Sequence, residues 1–494
     1  MAAMAESPTR HVVKNIGLFF LSVIFLPIDT SAVLIGLLLS LFRGESRVNA
    51  SQPKKVLVTG VSMSKGLAIA RLLHQQGHTV VGADRYHLSS GRASRAIRKF
   101  YVLPQFTHSV GGRDEMERDP YIARLLEIVR SERVDLWIPA SDVHGALHDG
   151  LAKDIVESRT SAKVVQLGFD DVATMDDKAS FMELVRSLGL AMPVTQRVDS
   201  ASALQAFLAT KQQLSFRPGG AQYIVKPIGV NDVARYDMPL LPFRTEEETI
   251  ARIKAIPFTR DTNFIVQEYI KGDEFCTHAL VIRGQVRAFV ACPSSELLMH
   301  YTALPSSSPL SSAMLEFTKR VASAGGASWT GHVSFDFLVR HSQDHDGDAQ
   351  KPIIYPIECN PRVHTAVLLF QQTPELVDEY LSALEMDKHD QREPLHPLRP
   401  HRVYWIGQDI VESVFYPTYE ALFRGTIGLD SVVKNVDVFV ERLRYWKDGI
   451  FELWDPMPFW WTYHVQWPLL FLRYVFKGKW HKVNISTGKI FEAA

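Results

Sequence analysis

GHVSFDFLV (Gly331–Val339), followed after a polar loop by IIYPIECNPR (Ile353–Arg362), is the stretch on which the fold turns. Both segments read as strands. Along the first, Val333, Phe335, Phe337 and Val339 share one face, so period-two alternation sends His332, Ser334 and Asp336 to the other. Along the second, Glu358 and Asn360 are two apart and share a face, Cys359 points opposite, and Pro361 ends the pairing. Two carboxylates and a carboxamide then converge across a hairpin. Hard oxygen ligands of this kind suit Mg2+, which keeps part of its water and completes its shell from a few side chains and nucleotide phosphates. Arg362 stands beside such a site as a permanently charged fork for a transferring phosphoryl group.

Upstream, YIVKP (Tyr223–Pro227) places Lys226 on an otherwise apolar strand, where an unpaired ammonium is costly and a phosphate offsets the cost. The loop after it, IGVNDVARYDM, holds one glycine, Gly229, with Asn231 and Arg235 as candidates to cover phosphates. Arg287, on the expected strand Gln285–Ala291, is a further candidate for phosphate or substrate. His364 reads equally as a packing residue or a substrate contact. Ser294 and Ser295 support no Ser, His and Asp order.

The wider chain bounds the answer. Its 494 residues imply roughly three domains. Lys plus Arg equal Asp plus Glu at 54 each, which argues against the broad positive field of a nucleic-acid binder. Three scattered cysteines, Cys276, Cys292 and Cys359, form neither a disulfide framework nor a Cys-x-x-Cys site and fit a reducing compartment. VLVTG (Val56–Gly60), a helical stretch Gly66–Gln76, HTVVGAD (His78–Asp84) and RVDLWIPAS (Arg133–Ser141) make a doubly wound α/β unit. Gly60 and Gly66 do not complete the G-x-G-x-x-G spacing of a dinucleotide site, and Asp84 alone does not restore it.

At the N-terminus, Ile16–Phe42 is apolar but broken at Pro27, Asp29, Thr30 and Ser31. Each arm is shorter than the roughly 20 residues that cross hydrocarbon, so a re-entrant hairpin or tilted anchor is expected. Beyond Pro394 six tryptophans, Trp446, Trp454, Trp460, Trp461, Trp467 and Trp480, interleave with Lys447, Arg473, Lys477 and Lys479. That pattern reads either as an interfacial belt or as an aromatic core with a solvated rim.

Glu-x-Asn-Pro-Arg after an Asp-bearing strand resembles the mark of the ATP-grasp superfamily. MDDKASF (Met175–Phe181), YIVKP and IVQEYIKGDEF (Ile265–Phe275) resemble its other segments in the family's order over roughly 170–384. The resemblance implies ATP with Mg2+, for which Mn2+ can substitute. It puts Lys178 and Lys226 on the nucleotide, Gln267 and Glu268 at adenine, Glu274 on ribose, Asp336, Glu358 and Asn360 on metal, and Arg362 with Arg287 in catalysis. The leader, ACPSSELLMHY (Ala291–Tyr301) and IECNPRVHTA (Ile357–Ala366) look most like the mycosporine-glycine-forming ligase and enzymes of fungal secondary-metabolite clusters.

What this implies is a ligase joining an amino acid or other amine to a small oxygenated acid or ketone through a phosphorylated intermediate, releasing ADP and phosphate. The expected plan is α/β and α+β: a hydrophobic anchor (1–50), a doubly wound pre-ATP-grasp domain (51–168), a two-lobed ATP-grasp domain (169–390) and an aromatic-rich C-terminal region (391–494). The expected location is cytoplasmic, with membrane association through residues 16–42. A degenerate nucleotide-binding module without turnover and an NAD(P)-dependent reductase built on the first domain are the alternatives.

Overall fold

Val56, Leu57, Val58 and Thr59 are fully buried, as an uninterrupted apolar run must be in a sheet covered on both sides. In the computed structural model they form β1 (Lys55–Thr59), the middle of a five-stranded parallel sheet ordered β3-β2-β1-β4-β5. The structure describes residues 8–43, 47–106, 113–142, 144–211, 215–216, 220–228, 238, 240–258, 264–294, 300–340, 352–385, 392–476, 481–484 and 489–492.

Two helices precede this sheet, α1 (Pro8–Ile24) and α2 (Leu26–Arg43). The sheet region continues with α3 (Ser64–Gln75), β2 (Thr79–Asp84), β3 (Ile97–Val102), α4 (Arg113–Met116), α5 (Pro120–Glu132), β4 (Leu136–Pro139), α6 (Ala146–Arg159) and β5 (Lys163–Val164). Leu67, Ile69 and Leu73 of α3 cover one side of the sheet, and Ile122, Leu125 and Leu151 of α5 and α6 cover the other. Gly60 leaves β1 at φ +74°, and a Cβ there would lie 2.4 Å from the Ala140 carbonyl oxygen. Only glycine fits that turn.

Next come α7 (Phe169–Asp176), α8 (Lys178–Ser187), β6 (Thr195–Val198), α9 (Ala201–Thr210), β7 (Tyr223–Pro227), β8 (Leu240–Leu241), α10 (Glu246–Ala255) and β9 (Phe264–Glu268). Strands β6-β9-β7-β8 form an antiparallel sheet whose apolar face packs Val225 and Phe264 against Leu204, Phe207 and Ile253 of α9 and α10. Thr245 and Glu248 close a capping box at the start of α10.

A second antiparallel sheet follows, ordered β11-β10-β12-β13, from β10 (Asp273–Ile282), β11 (Gln285–Pro293), β12 (Gly331–Arg340) and β13 (Ile353–Asn360), with α11 (Pro309–Gly325) between β11 and β12. Val333, Phe335, Phe337 and Val339 pack on Met314, Phe317 and Val321 of α11 and on Phe181 of α8. That covered face is the one alternation assigns to the core. The opposite face meets a 3-10 turn, Thr365–Phe370, which also packs on α3 and so ties the parallel sheet to this one.

The chain then runs through α12 (Leu376–Leu381), β14 (Val403–Tyr404), α13 (Ile406–Ile410), α14 (Tyr416–Tyr419), α15 (Leu429–Tyr445), β15 (Lys447–Asp448), α16 (Met457–Trp461) and α17 (Trp467–Phe476), with π-helical turns at 411–415, 420–424 and 462–466. The aromatics here are in part internal contacts: Trp461 Nε1 donates to the Leu88 carbonyl, and Trp405 and Trp467 are buried. Trp480, Lys477 and Lys479 lie outside the described residues.

The N-terminal stretch differs from the two arms around a polar break read in its sequence. The helices part at Phe25, not at Asp29, and α1 and α2 meet at 55°. Pro27 falls in the first turn of α2, where its missing N–H costs no bond, and Asp29 sits at the positive end of that helix.

Candidate active site

Asp336 and Glu358 stand directly opposite each other on β12 and β13, and Asn360 stands opposite Ser334. The register shifts after Asp336, so Ile357 has no partner and β13 bulges beside the two acids. Bulges commonly re-aim side chains in this way. Asn360 Nδ2 donates to Asp336 Oδ2 at 3.1 Å, and Arg362 Nη2 donates to Asn360 Oδ1. Burial, and then the Glu358 charge, holds the Asp336 carboxyl well above the usual carboxylate range.

The sequence MDDK supplies the next contacts. Asp177 ends α7 and caps α8, its Oδ1 accepting from Ser180 N at 2.8 Å. That cap makes Lys178 the first residue of α8 and leaves Asp176 one residue before it. Lys178 Nζ lies 3.1 Å from Glu358 Oε2, and Arg362 Nη1 lies 3.8 Å from Asp176 Oδ1. The structure thus brings Lys178, Asp336, Glu358, Asn360 and Arg362 together. Asp176, which the sequence reading passed over, joins them; burial raises its pKa and the Arg362 charge works against that rise.

Among the described residues no three of His, Cys, Asp and Glu cluster as metal ligands. The donor set is two carboxylates and a carboxamide, the hard oxygen chemistry that Mg2+ accepts when phosphate and water complete the shell. Two acids facing each other, one disfavouring ionisation of the other, fit a cation between them; Lys178 already supplies one positive charge at Glu358.

The remaining nucleotide candidates lie on the other sheet and on the linker. Lys226 Nζ donates to Gln267 Oε1 at 2.9 Å, and Gln267 Nε2 donates to Thr195 Oγ1 at 3.1 Å. The Gln267 side chain is buried and its amide bonds Lys226 and Thr195, which orients Lys226. Glu268 accepts from Arg340 Nη2 at 3.2 Å, which links the end of β9 to the end of β12 across the two sheets. Glu274 accepts from Ser294 Oγ at 2.9 Å, at the start of β10. Between these acids Gly272 lets the linker touch β12, because a Cβ there would sit 1.9 Å from the Val339 carbonyl oxygen. Gly229, Asn231, Arg235 and Ser295 lie outside the described residues.

Arg287 does not join the site. It lies on β11, separated from β12 by β10, and its Nε donates to Glu379 of α12 at 2.7 Å. Its assignment to phosphate or substrate is therefore corrected; a nearby carboxylate explains the buried charge.

Residues invisible to motif reading extend the polar face inward. Ser334 Oγ and His278 Nε2 are buried without a hydrogen-bond partner among the described residues. His278 Nδ1 accepts from the His364 amide at 3.4 Å and burial depresses its pKa well below the usual value, so the neutral ring carries its proton on Nε2. Lys65, at the start of α3, is wholly buried and donates to the carbonyls of Ser141 and Val363 at 2.7 and 2.8 Å. Burial foremost, then Arg362, brings its pKa down to about 7. Alternation had placed Ser334 on the Asp336 face; nothing local marked His278 or Lys65.

The first domain's own glycine loop is closed to a dinucleotide. Asp84 Oδ2 accepts from Ser62 N and Oδ1 from Tyr86 N at 2.7 and 2.8 Å, so its carboxylate is used by backbone. Gln466 covers the loop, donating to the Ser62 carbonyl and accepting from Ser90 N. The reductase alternative loses its site.

No family model matches the chain, and no curated protein matches it. Among solved structures it is similar to synthetases, ligases and carboxylases. An ADP complex of N5-carboxyaminoimidazole ribonucleotide synthetase (purK) shares 15% identity over 66% of this chain and 74% of that one, with a TM-score of 0.45. The L-amino acid ligase from Bacillus licheniformis shares 14% over 63% and 68%, with a TM-score of 0.41. A biotin carboxylase complex from Campylobacter jejuni shares 14% over 69% and 73%, with a TM-score of 0.47. At such identities and scores none of them assigns an activity to this chain.

Proposed function

We propose that this chain is an ATP-grasp ligase that phosphorylates an oxygen of a small acid or ketone with ATP and then joins that carbon to an amine. The observation that carries the reading is the Asp336–Glu358 pair, with Asn360 bonded to Asp336 and Arg362 bonded to Asn360. Asp336, Glu358 and Asn360 would hold Mg2+, which when bound neutralises charge on the terminal phosphates. Lys226, oriented by Gln267, and Lys178 lie on the two sides from which a nucleotide would be gripped, and Glu268 and Glu274 flank the linker at its base and ribose end.

Arg362 stabilises charge on the γ-phosphoryl group as it moves. The acid or enol oxygen attacks the γ-phosphorus, the bond to the β-phosphate oxygen breaks, and ADP leaves. The amine then attacks the activated carbon, the carbon–oxygen bond to phosphate breaks, phosphate departs with the electron pair, and the amine gives up a proton. The acceptor lies beside Asp336 along the polar face of β12, where Ser334 Oγ and His278 Nε2 are buried donors with no partner among the described residues. The segments resembling the mycosporine-glycine-forming ligase support an amino acid as the amine and a place in secondary-metabolite biosynthesis. ATP supply puts the enzyme in the cytoplasm, with residues 16–42 as its membrane attachment.

Turnover with the right amino acid should yield ADP and inorganic phosphate, and oxygen label in the acid should pass to phosphate. AMP and pyrophosphate as stoichiometric products overturn the mechanism. A nucleotide-binding module without turnover is the second reading, favoured by the Lys178 ammonium already set against Glu358. Tight ATP binding with no ADP release across a panel of amino acids and acids would select it.

A further inference from the structure

The N-terminal helices divide cleanly into two faces. Lys14 pairs with Glu412, Ser22 Oγ donates to the Tyr463 carbonyl, Asp29 Oδ2 meets His464 Nε2 at 2.9 Å, Trp460 Nε1 donates to Thr30 Oγ1 at 2.9 Å, and Arg95 Nη1 donates to Ser40 Oγ at 2.8 Å. Each of these polar groups is turned to the protein body. Gly17 and Gly36 permit the approach, since a Cβ at Gly17 would lie 2.3 Å from the Phe415 ring and one at Gly36 3.3 Å from the Leu453 carbonyl. The other face is mostly apolar: eleven large hydrophobic side chains of α1 and α2, among them Phe20, Ile24, Ile28, Leu34, Leu38 and Phe42, are 37–85% exposed, with Ser31 the exposed polar residue among them, its hydroxyl bonded to the Pro27 carbonyl.

The apolar face continues onto the far end of the chain. Phe19 of α1 meets Phe471 of α17 with ring centroids 6.3 Å apart. On α17, Leu469 and Phe476 are 47% and 86% exposed, with exposed Arg473 between them. Arg47, just after α2, is also exposed, with Nη2 donating to the Gly77 carbonyl at 3.3 Å. No single described helix is long and apolar enough to cross a membrane, and the bent pair meets at 55°.

We propose that α1, α2 and α17 together form a seat that lies in one leaflet of a lipid bilayer, apolar side chains among the acyl chains and Arg47 and Arg473 at the anionic headgroups. This deepens the membrane placement above and rests on it, while standing apart from the ligase chemistry. Lipid fits better than a protein partner. A protein interface carries about one hydrogen bond per 100–200 Å2, whereas the polar groups of this hairpin are bonded inward, Thr30 and Ser31 also donating back to carbonyls of their own helix. Acyl chains ask for no such bonds, and helices with one apolar face and cationic flanks settle in the interfacial plane. Asp29, costly in a spanning helix, is here the latch that holds the hairpin on the body through His464.

The test is flotation of the full chain with vesicles of phosphatidylcholine and phosphatidylserine. Two double variants, Ile24→Glu with Leu38→Glu and Leu469→Glu with Phe476→Glu, change exposed positions only, and their melting curves should match the parent's. The parent should float, and each double variant should lose at least tenfold in bound fraction. A parent that stays in solution overturns the membrane placement itself. A parent that floats, with the α17 variant floating equally, overturns the shared seat and leaves the leader alone as anchor. A lipid-free dimer dissolved by both variants makes the occupant a second copy and overturns the proposal.

Discussion

Two aspartates, Asp84 at the end of β2 and Asp336 in the middle of β12, meet the same physical problem with opposite outcomes. Burial raises the pKa of both. Around Asp84 the neighbours are donors: the amides of Ser62 and Tyr86 bond its two oxygens, and the carboxylate becomes a staple for the β1–α3 turn. Around Asp336 the neighbours are Asn360 Nδ2, which donates to one oxygen, and a second carboxyl, Glu358, whose charge and hydrogen bond both favour the neutral form of Asp336. A buried carboxylate surrounded by amides is explained by the fold. One set against a second carboxylate is not, and that difference separates an acid the fold explains from the one we propose as a metal ligand.

Exchanging charge for an isosteric amide at each place sharpens the contrast. Glu358→Gln should lower turnover by about 10²-fold or more, by analogy with loss of a charge-stabilising group at a transition state. Its melting temperature should change little, because loss of the Asp336–Glu358 repulsion is offset by loss of the Lys178–Glu358 ion pair. Asp84→Asn should do the reverse, costing about 1–3 kcal/mol as an amide N–H is set against a backbone N–H, with activity per folded molecule kept. Turnover and chemical denaturation on both variants decide it; an active Glu358→Gln or an inactive, stable Asp84→Asn breaks the distinction.

The hairpin was legible because strand alternation is local: the parity of Asp336 against Phe335 and Phe337, and of Glu358 and Asn360 against Cys359, follows from counting residues. The doubly wound sheet was legible for a similar reason, since VLVT, bounded by Gly60 and followed by a helix and a second strand, reads as a buried strand. Asp29 was not. Read alone it is an obstacle in an apolar stretch, because its partner His464 is 435 residues away. Lys65 and His278 were hidden too, their importance coming from Val363 and His364, residues brought to them by the 3-10 turn after Arg362 rather than by any spacing. Motif position alone did not show that the Gln267 amide is bonded inside the lobe to Lys226 and Thr195.

The polar face below Asp336 offers a second, milder lever, through pH. Burial depresses the pKa of His332 and of His364 to about 3 each, from an ordinary 6.5. The unfolded chain therefore takes up protons below pH 6.5 that the folded chain refuses until near pH 3, and stability falls as pH drops through that window, by up to about 1.4 kcal/mol per pH unit for each ring. Above pH 6.5 the contribution is fully present. His332→Asn cannot titrate, so its loss of stability between pH 6.5 and 5 should be smaller than the parent's by about 2 kcal/mol. Equal losses by denaturant titration at the two pH values would mean that His332 is protonated in the folded protein.

The smallest effect is expected at Arg287, a cation as buried as those of the site but paired away from it. Arg287 Nε and Glu379 Oε2 are 2.7 Å apart and both side chains are largely covered. Removing the arginine alone strands Glu379 and costs about 3–5 kcal/mol, which would confuse folding with chemistry. The double replacement Arg287→Met with Glu379→Leu keeps the volume and removes both charges, and exchanges of this kind are commonly neutral or stabilising by about 1–4 kcal/mol. Turnover and the Michaelis constant for ATP should both stay within about twofold of the parent, less than the roughly 1.4 kcal/mol that a tenfold change represents. Arg362→Met, by contrast, removes the guanidinium bonded to Asn360 and should lose turnover by about 10²-fold or more. A well-folded Arg287, Glu379 double variant with turnover as low as Arg362→Met would return Arg287 to the chemistry and show that a charge two strands away reaches the reacting phosphate.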